Sequence, residues 1–226
     1  RLNLSSGATL TNGNAWEGGV HNSGIFRMYG GMISSCNGKY GGGVYNSGTF
    51  RIYGGTISGN QSIVYGGGVH NLGDFRMFGG TVAGCGAQAG GGVYNNGTFR
   101  MYAGEITGDT AGQYGGGVYN GEIGTFALSG GTIGNNTATE SGGGVENNGA
   151  LTMTGGTISG NEATNKVGGG VDHYRGSFEM SDGTISGNEA KKGGGVYVDC
   201  YVSAAIKGGT LDGNAADYGG GVYVEH

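Results

Sequence analysis

GGGVYNSGTFRIYGGTISGN, residues Gly41–Asn60, holds three short patterns, V-Y-N, F-R-I and T-I-S, separated by glycine-rich corners. Side chains in each pattern alternate with a period of two, as in a β-strand, and not with the 3.6-residue period of a helix. Close copies recur through all 226 residues. The valine after the glycines returns at Val20, Val44, Val69, Val93, Val118, Val145, Val171, Val196 and Val222, at spacings of 24–27 residues. The apolar centre of T-I-S returns at Ile33, Ile57, Val82, Ile106, Ile133, Ile158, Ile185 and Leu211. The F-R-M pair runs from Phe26/Met28 to Phe178/Met180, with Ala204/Ile206 as a degenerate copy.

Three strands and three corners in each copy predict one turn of a parallel β-helix. The chain therefore reads as one all-β solenoid domain over residues 1–226, with eight to nine rungs of 24–27 residues. A partial first rung covers 1–17 and a partial last rung 219–226, with no capping element at either end. Leucine-rich repeats lack support because their L-x-x-L-x-L pattern is missing, and a helical solenoid cannot carry 60 glycines. The absence of proline fits too. Nearly every strand of a solenoid is central and uses its N–H in a ladder, which proline would remove.

Composition narrows the function classes. Collagen needs glycine at every third position with abundant proline. A net charge of −5 argues against general nucleic-acid binding, which needs a basic face. No apolar run is long enough for a membrane-spanning helix. The first residue is Arg1 and no signal peptide is visible, as expected of a processed chain or a fragment. Cys36, Cys85 and Cys200 match no zinc spacing, and no cofactor motif is present.

The G-G-G-V and T-I-S-G-N motifs resemble the glycine-rich repeats of right-handed parallel β-helix proteins, most closely those of bacterial surface adhesins and autotransporter passengers. The resemblance implies a right-handed coil, an extracellular or cell-surface location and a structural role. The same architecture occurs in pectate-lyase-like enzymes. That implies an alternative, a carbohydrate-binding or polysaccharide-cleaving β-helix.

Rungs stacked about 4.8 Å apart turn equivalent residues into columns. Asn22, Asn46, Asn71, Asn95, Asn120 and Asn147 share the face of the buried valine and predict a structural amide ladder. Asn60, Asn136, Asn161, Asn188 and Asn214 form a second column, with Cys36, Cys85 and Asp109 in equivalent places. Cys36 and Cys85 then stand two rungs apart, about 9.6 Å, too far for a disulfide.

Other columns are expected to face outward. Arg27, Arg51, Arg76 and Arg100 make a stripe beside Tyr29, Tyr53, Phe78 and Tyr102, with ring faces available to the guanidinium groups and Asp74 and Glu105 near in sequence. The stripe reads as a solvated face, a lateral protein contact or a glycan-binding strip. The middle residue of V-Y-N gives an outward column of Tyr45, His70, Tyr94, Tyr119, Glu146, Asp172, Tyr197 and Tyr223, headed by His21. Within it, Glu146 and Asp172 stack one rung apart beside the irregular stretch V-D-H-Y-R-G, a weak candidate for calcium or substrate contact. No long loop walls a cleft, so the chain is not expected to be an enzyme. Asn-x-Ser/Thr sequons occur at Asn3, Asn60, Asn96 and Asn135.

The ends complete the expectation. Leu2 and Leu4 match the F-R-M pair, so the first rung lacks its V-Y-N strand, while Val222, Tyr223 and Val224 supply that strand alone at the other end. Head-to-tail stacking into a homopolymer with an axial repeat near ~40 Å follows as the leading expectation. Membership in a longer surface fibre is its rival, and glycans or host surface molecules are further candidate partners.

Overall fold

The computed structural model describes residues 1–226 as a parallel β-solenoid of about nine turns, without a helix. Every pairing between strands is parallel, and equivalent repeat positions meet in register. Val69 pairs with Val44 and Val93, and Phe75 with Phe50 and Phe99. The partial first rung joins the same ladders, Leu2 opposite Phe26, Leu4 opposite Met28 and Leu10 opposite Ile33. At the far end Ala204 and Ile206 pair with Phe178 and Met180.

Each rung contributes to three sheets, but the strands are divided differently from the sequence expectation. F-R-M and T-I-S share one 14-stranded sheet. In four rungs they merge into continuous ten-residue strands, Asp74–Ala83, Thr98–Thr107, Ala150–Ser159 and Ser177–Ser186. V-Y-N strands build a nine-stranded sheet, and an eight-stranded third sheet comes from the segment between T-I-S and the glycines, such as Gln61–Tyr65 and Thr110–Tyr114. That segment looks like a turn in sequence because its inward residues are small: Ser62, Ala111, Ala138, Ala163 and Ala190 are buried there. Small inward side chains let the third sheet approach the core closely but hide the apolar alternation that identifies a strand.

The core is a cluster of 33 buried residues stacked in single-type columns. Phe26, Phe50, Phe75, Phe99 and Phe126 lie ring on ring, with centroids 4.7, 5.1, 4.6 and 4.7 Å apart. Burying each ring contributes roughly 2–3 kcal/mol, and each stacked pair about 1 kcal/mol beyond area. The corner before each valine shows why the glycines are required. Gly66 has φ +65°, a left-handed conformation, and a Cβ on Gly67 would collide with the Gly91 carbonyl of the next rung. No helix is long and apolar enough to cross a membrane.

Candidate functional site

Both asparagine columns lie inside the solenoid. The Nδ2 of Asn22 donates to Oδ1 of Asn46, and so on through Asn71, Asn95, Asn120 and Asn147, at 2.6–2.8 Å. His173 continues the column, its Nδ1 facing the Asn147 amide at 3.1 Å. Since that nitrogen accepts, the ring proton sits on Nε2, directed at the Ser203 carbonyl 3.3 Å away. In the second column the Asn60 Oδ1 accepts from the Cys36 backbone N–H while its Nδ2 points at the Cys85 sulfur, 3.9 Å away. All three cysteines are free thiols. The buried Asn60 is committed to this ladder, which removes its sequon from the surface.

On the outside, Arg27, Arg51, Arg76 and Arg100 are half-buried and Tyr29, Tyr53, Phe78 and Tyr102 are exposed. The expected guanidinium–ring contacts do not form. The four rings stack on one another at 5.1, 5.1 and 4.9 Å and present edges to solvent. Charge is offset by Asp74 instead, which takes Arg76 at 2.9 Å and Arg100 at 3.1 Å, while Glu105 makes no ion pair. At the ends, Leu2, Val222 and Val224 are exposed, Tyr223 is half-buried and Leu4 is buried.

The middle column of V-Y-N departs most from expectation. Most of it does not face open solvent: His70, Tyr94, Glu146, Asp172 and Tyr197 are buried and Tyr45, Tyr119 and Tyr223 half-buried, while His21 at its head is exposed. The residue just before each glycine triplet folds over it from the third sheet. Tyr65 stacks on Tyr94 at 4.3 Å, the rings of Tyr40 and Tyr65 meet His70 at 5.6 and 5.9 Å, and the Lys192 ammonium lies 4.8 Å from the Tyr223 ring. These two facing columns line a concave face parallel to the solenoid axis, aromatic over most of its length.

Two consecutive rungs carry no ring in either column. In the covering column Ser141 and Val167 stand between Tyr114 and Lys192, and in the V-Y-N column Glu146 and Asp172 stand between Tyr119 and Tyr197. Loss of two rings opens a cavity of about 410 Å³ whose floor is the carboxyl pair. Tyr114 and Tyr119 wall one side, Tyr174 and Tyr197 the other, with Asn148, Lys166 and Asp199 at the margin.

The Ser141 hydroxyl donates to Glu146 Oε2 at 2.6 Å, while Asp172 Oδ1 has no partner in the protein. Burial holds the Glu146 carboxyl well above the usual range, and the Asp172 charge beside it adds to the effect. Asp172 is raised as well, by burial first and then by the charge of Asp199. Two carboxyls this close and this dry share a proton rather than ionise together. No group of three or more histidine, cysteine, aspartate or glutamate side chains placed to hold a metal ion gathers in the chain.

The sequence brings Glu146 and Asp172 together as expected, one rung apart in parallel register. It does not reveal the cover over their column. The signal was the tyrosine before the glycine triplet, Tyr40, Tyr65, Tyr114 and Tyr218, whose column partner is the V-Y-N ring. Against known proteins the chain matches no family, no curated protein and no solved structure.

Proposed function

We propose that this chain is a structural module, a stiff solenoid segment of an extracellular filament or surface fibre. The observation that carries the reading is axial uniformity: nine V-Y-N strands pair in unbroken register, and the side chains beneath them repeat in single-type columns. Residues are spent on continuity along the axis, and no loop is enlarged to wall a deep cleft. Such stacking makes a rod that resists bending, because each rung is tied to the next by backbone ladders and by amide and aromatic stacks.

The edge strands are ready to accept a further rung, whether from the same polypeptide or from a second copy. Leu2 and Leu4 at one end, and Val222, Tyr223 and Val224 at the other, would form the apolar part of such a junction. The resemblance of the repeat to bacterial surface adhesins supports the extracellular placement. The carbohydrate-binding alternative draws less support from the Arg–Tyr stripe, because stacked rings offer a sugar their edges instead of the flat faces it would cover.

Negative-stain electron microscopy of the purified chain tests the reading. Rods with lengths in multiples of about 40 Å, nine rungs at the strand spacing, are expected as concentration rises. Particles that stay one unit long at every concentration would rule out self-stacking. Protease shaving of intact producing cells tests the location, and protection of the chain would contradict an extracellular one.

A further inference from the structure

The cavity over Glu146 and Asp172 is unexplained by a structural role. A rod needs only that each column continue, and an aromatic pair at these rungs would continue it. Instead, two adjacent rungs carry an acid in the V-Y-N column with the ringless Ser141 or Val167 over it, so neither column supplies a ring there. The result is a hole with buried carboxyls at its base, a loss of packing that a rod alone has no use for.

The polar atoms around the hole define what fits it. Ser141 already donates to Glu146, Tyr197 donates its hydroxyl to Glu225 at 2.8 Å, and the Lys166 ammonium is held by Glu140 at 2.6 Å. Donors without a partner remain on the walls and margin, at the Tyr114, Tyr119 and Tyr174 hydroxyls and the Asn148 amide. Acceptors are plentiful: Asp172, only 2% exposed, has an oxygen without a partner, and Asp199 stands at the rim. At the floor the unmet group is an acceptor, and a cationic donor head complements it, which describes an ammonium or a guanidinium. The walls agree, because tyrosine rings attract a cation by their faces and pack against an aliphatic stem.

We propose that this cavity binds an organic cation, an alkylammonium or guanidinium head seated on the Glu146–Asp172 pair with its stem along the tyrosine walls. The head takes the place of the proton that the two carboxyls share, and that proton passes to the buffer. Binding is therefore linked to pH through the pair itself. The other titratable and charged groups facing it are Asp199, the Lys166–Glu140 pair and the tyrosine hydroxyls. The inference is independent of filament assembly, since a single rod contains the whole site.

Isothermal titration of the purified chain with n-butylammonium and n-butylguanidinium tests it, with n-butanol, calcium chloride and cellobiose as comparisons. Dissociation constants of about 1 mM are expected for the two cations at pH 8. The affinity should weaken by about tenfold or more by pH 6, and the heat should differ between phosphate and Tris buffers by the release of roughly one proton. Asp172→Asn should lower affinity about tenfold by removing the charge. Val167→Tyr places over the pair the ring that Tyr114 carries two rungs away and should abolish binding without lowering the melting temperature.

Spermidine binding tighter than N-acetyl-lysine amide would assign the site to a free polyamine, and the reverse order to a basic side chain of a partner protein. The proposal is overturned if calcium or cellobiose binds while both cations are silent. It is also overturned if cation binding survives Val167→Tyr, or if none of the probes binds.

Discussion

Asp109 stands in a column where five rungs place asparagine, and replacing it with asparagine should stabilise the fold. In those rungs the amide Nδ2 donates to the isoleucine carbonyl of the preceding rung: Asn60 to Ile33, Asn136 to Ile106, Asn161 to Ile133 and Asn188 to Ile158 at 3.0 Å, and Asn214 to Ile185 at 2.8 Å. Asp109 keeps half of this arrangement. Its Oδ1 accepts the Cys85 backbone N–H at 2.7 Å, but its Oδ2 is buried without a partner. The equivalent carbonyl is that of Val82, which a carboxylate cannot serve and a protonated acid can. Burial accordingly pushes the Asp109 pKa up to about 8.

Because the folded value lies above the unfolded one, the fold is unpenalised below pH ~4 and loses stability as pH rises towards 8. At pH 7 the loss is about 4 kcal/mol, taking 1.36 kcal/mol per pH unit above the ordinary aspartate value. Asp109→Asn removes this penalty and adds an amide donor worth about 1 kcal/mol. Thermal melts at pH 4, 7 and 9 read the result. The variant should melt about 10 °C higher at pH 7, with a small gap at pH 4 and the widest gap at pH 9. A gap that does not change with pH, or a less stable variant at pH 7, would refute the reasoning.

Three further outcomes follow from the same columns. Burial lowers the His70 pKa to about 4, so its contribution is intact above pH ~6.5 and falls by roughly 3 kcal/mol as pH drops towards 4. His70→Tyr, which matches Tyr45 and Tyr94 above and below it, should lose less stability than the parent between pH 7 and 4.5 in urea unfolding; equal losses would contradict the assignment. Asn71→Ala removes the donor to Asn95 and the acceptor for Asn46, both at 2.7 Å, and should cost about 2–4 kcal/mol by urea midpoint. Cys36 and Cys85 are buried, and burial pushes the Cys85 thiol up to about 12, so a thiol reagent should label Cys200 alone until the chain is denatured. Rapid labelling of a second cysteine in the native chain would contradict the packing.

The ladders were legible because their residues are large and repeat without interruption. Phe26, Phe50, Phe75 and Phe99 can satisfy one another only if stacked, and that stacking sets the register of everything between them. The column containing Cys36, Asn60, Cys85 and Asp109 could be aligned across chemically different residues because the flanking isoleucines and glycines fix its place. The third sheet was not legible, since Ala111, Ala138 and Ala163 face inward from segments that show no apolar alternation. Missing that sheet made the V-Y-N middle column look solvent-facing. A two-residue period assigns Glu146 and Asp172 to the outer face of their own strand, but not to the cover that Ser141 and Val167 lay over that face.

The manner in which columns break separates decay of a repeat from construction of a site. Drift alters positions one at a time, and the solenoid absorbs such changes within a column: His70 sits among tyrosines, and Asp109 sits among asparagines, each at a cost in stability that its neighbours bear. At Ser141/Glu146 and Val167/Asp172 two facing columns lose their rings together in successive rungs, whereas at Ala89 and Lys192 the covering column lacks a ring while Tyr94 and Tyr197 keep theirs. The volume lost from one column is the volume that exposes the charge gained in the other. A fold of stacked rungs makes such paired change costly, because every altered rung must still pair with an unaltered neighbour on each side. Retaining it at one level of the rod concentrates desolvated negative charge, aromatic walls and open space at a single point. The remaining rungs hold that point rigid.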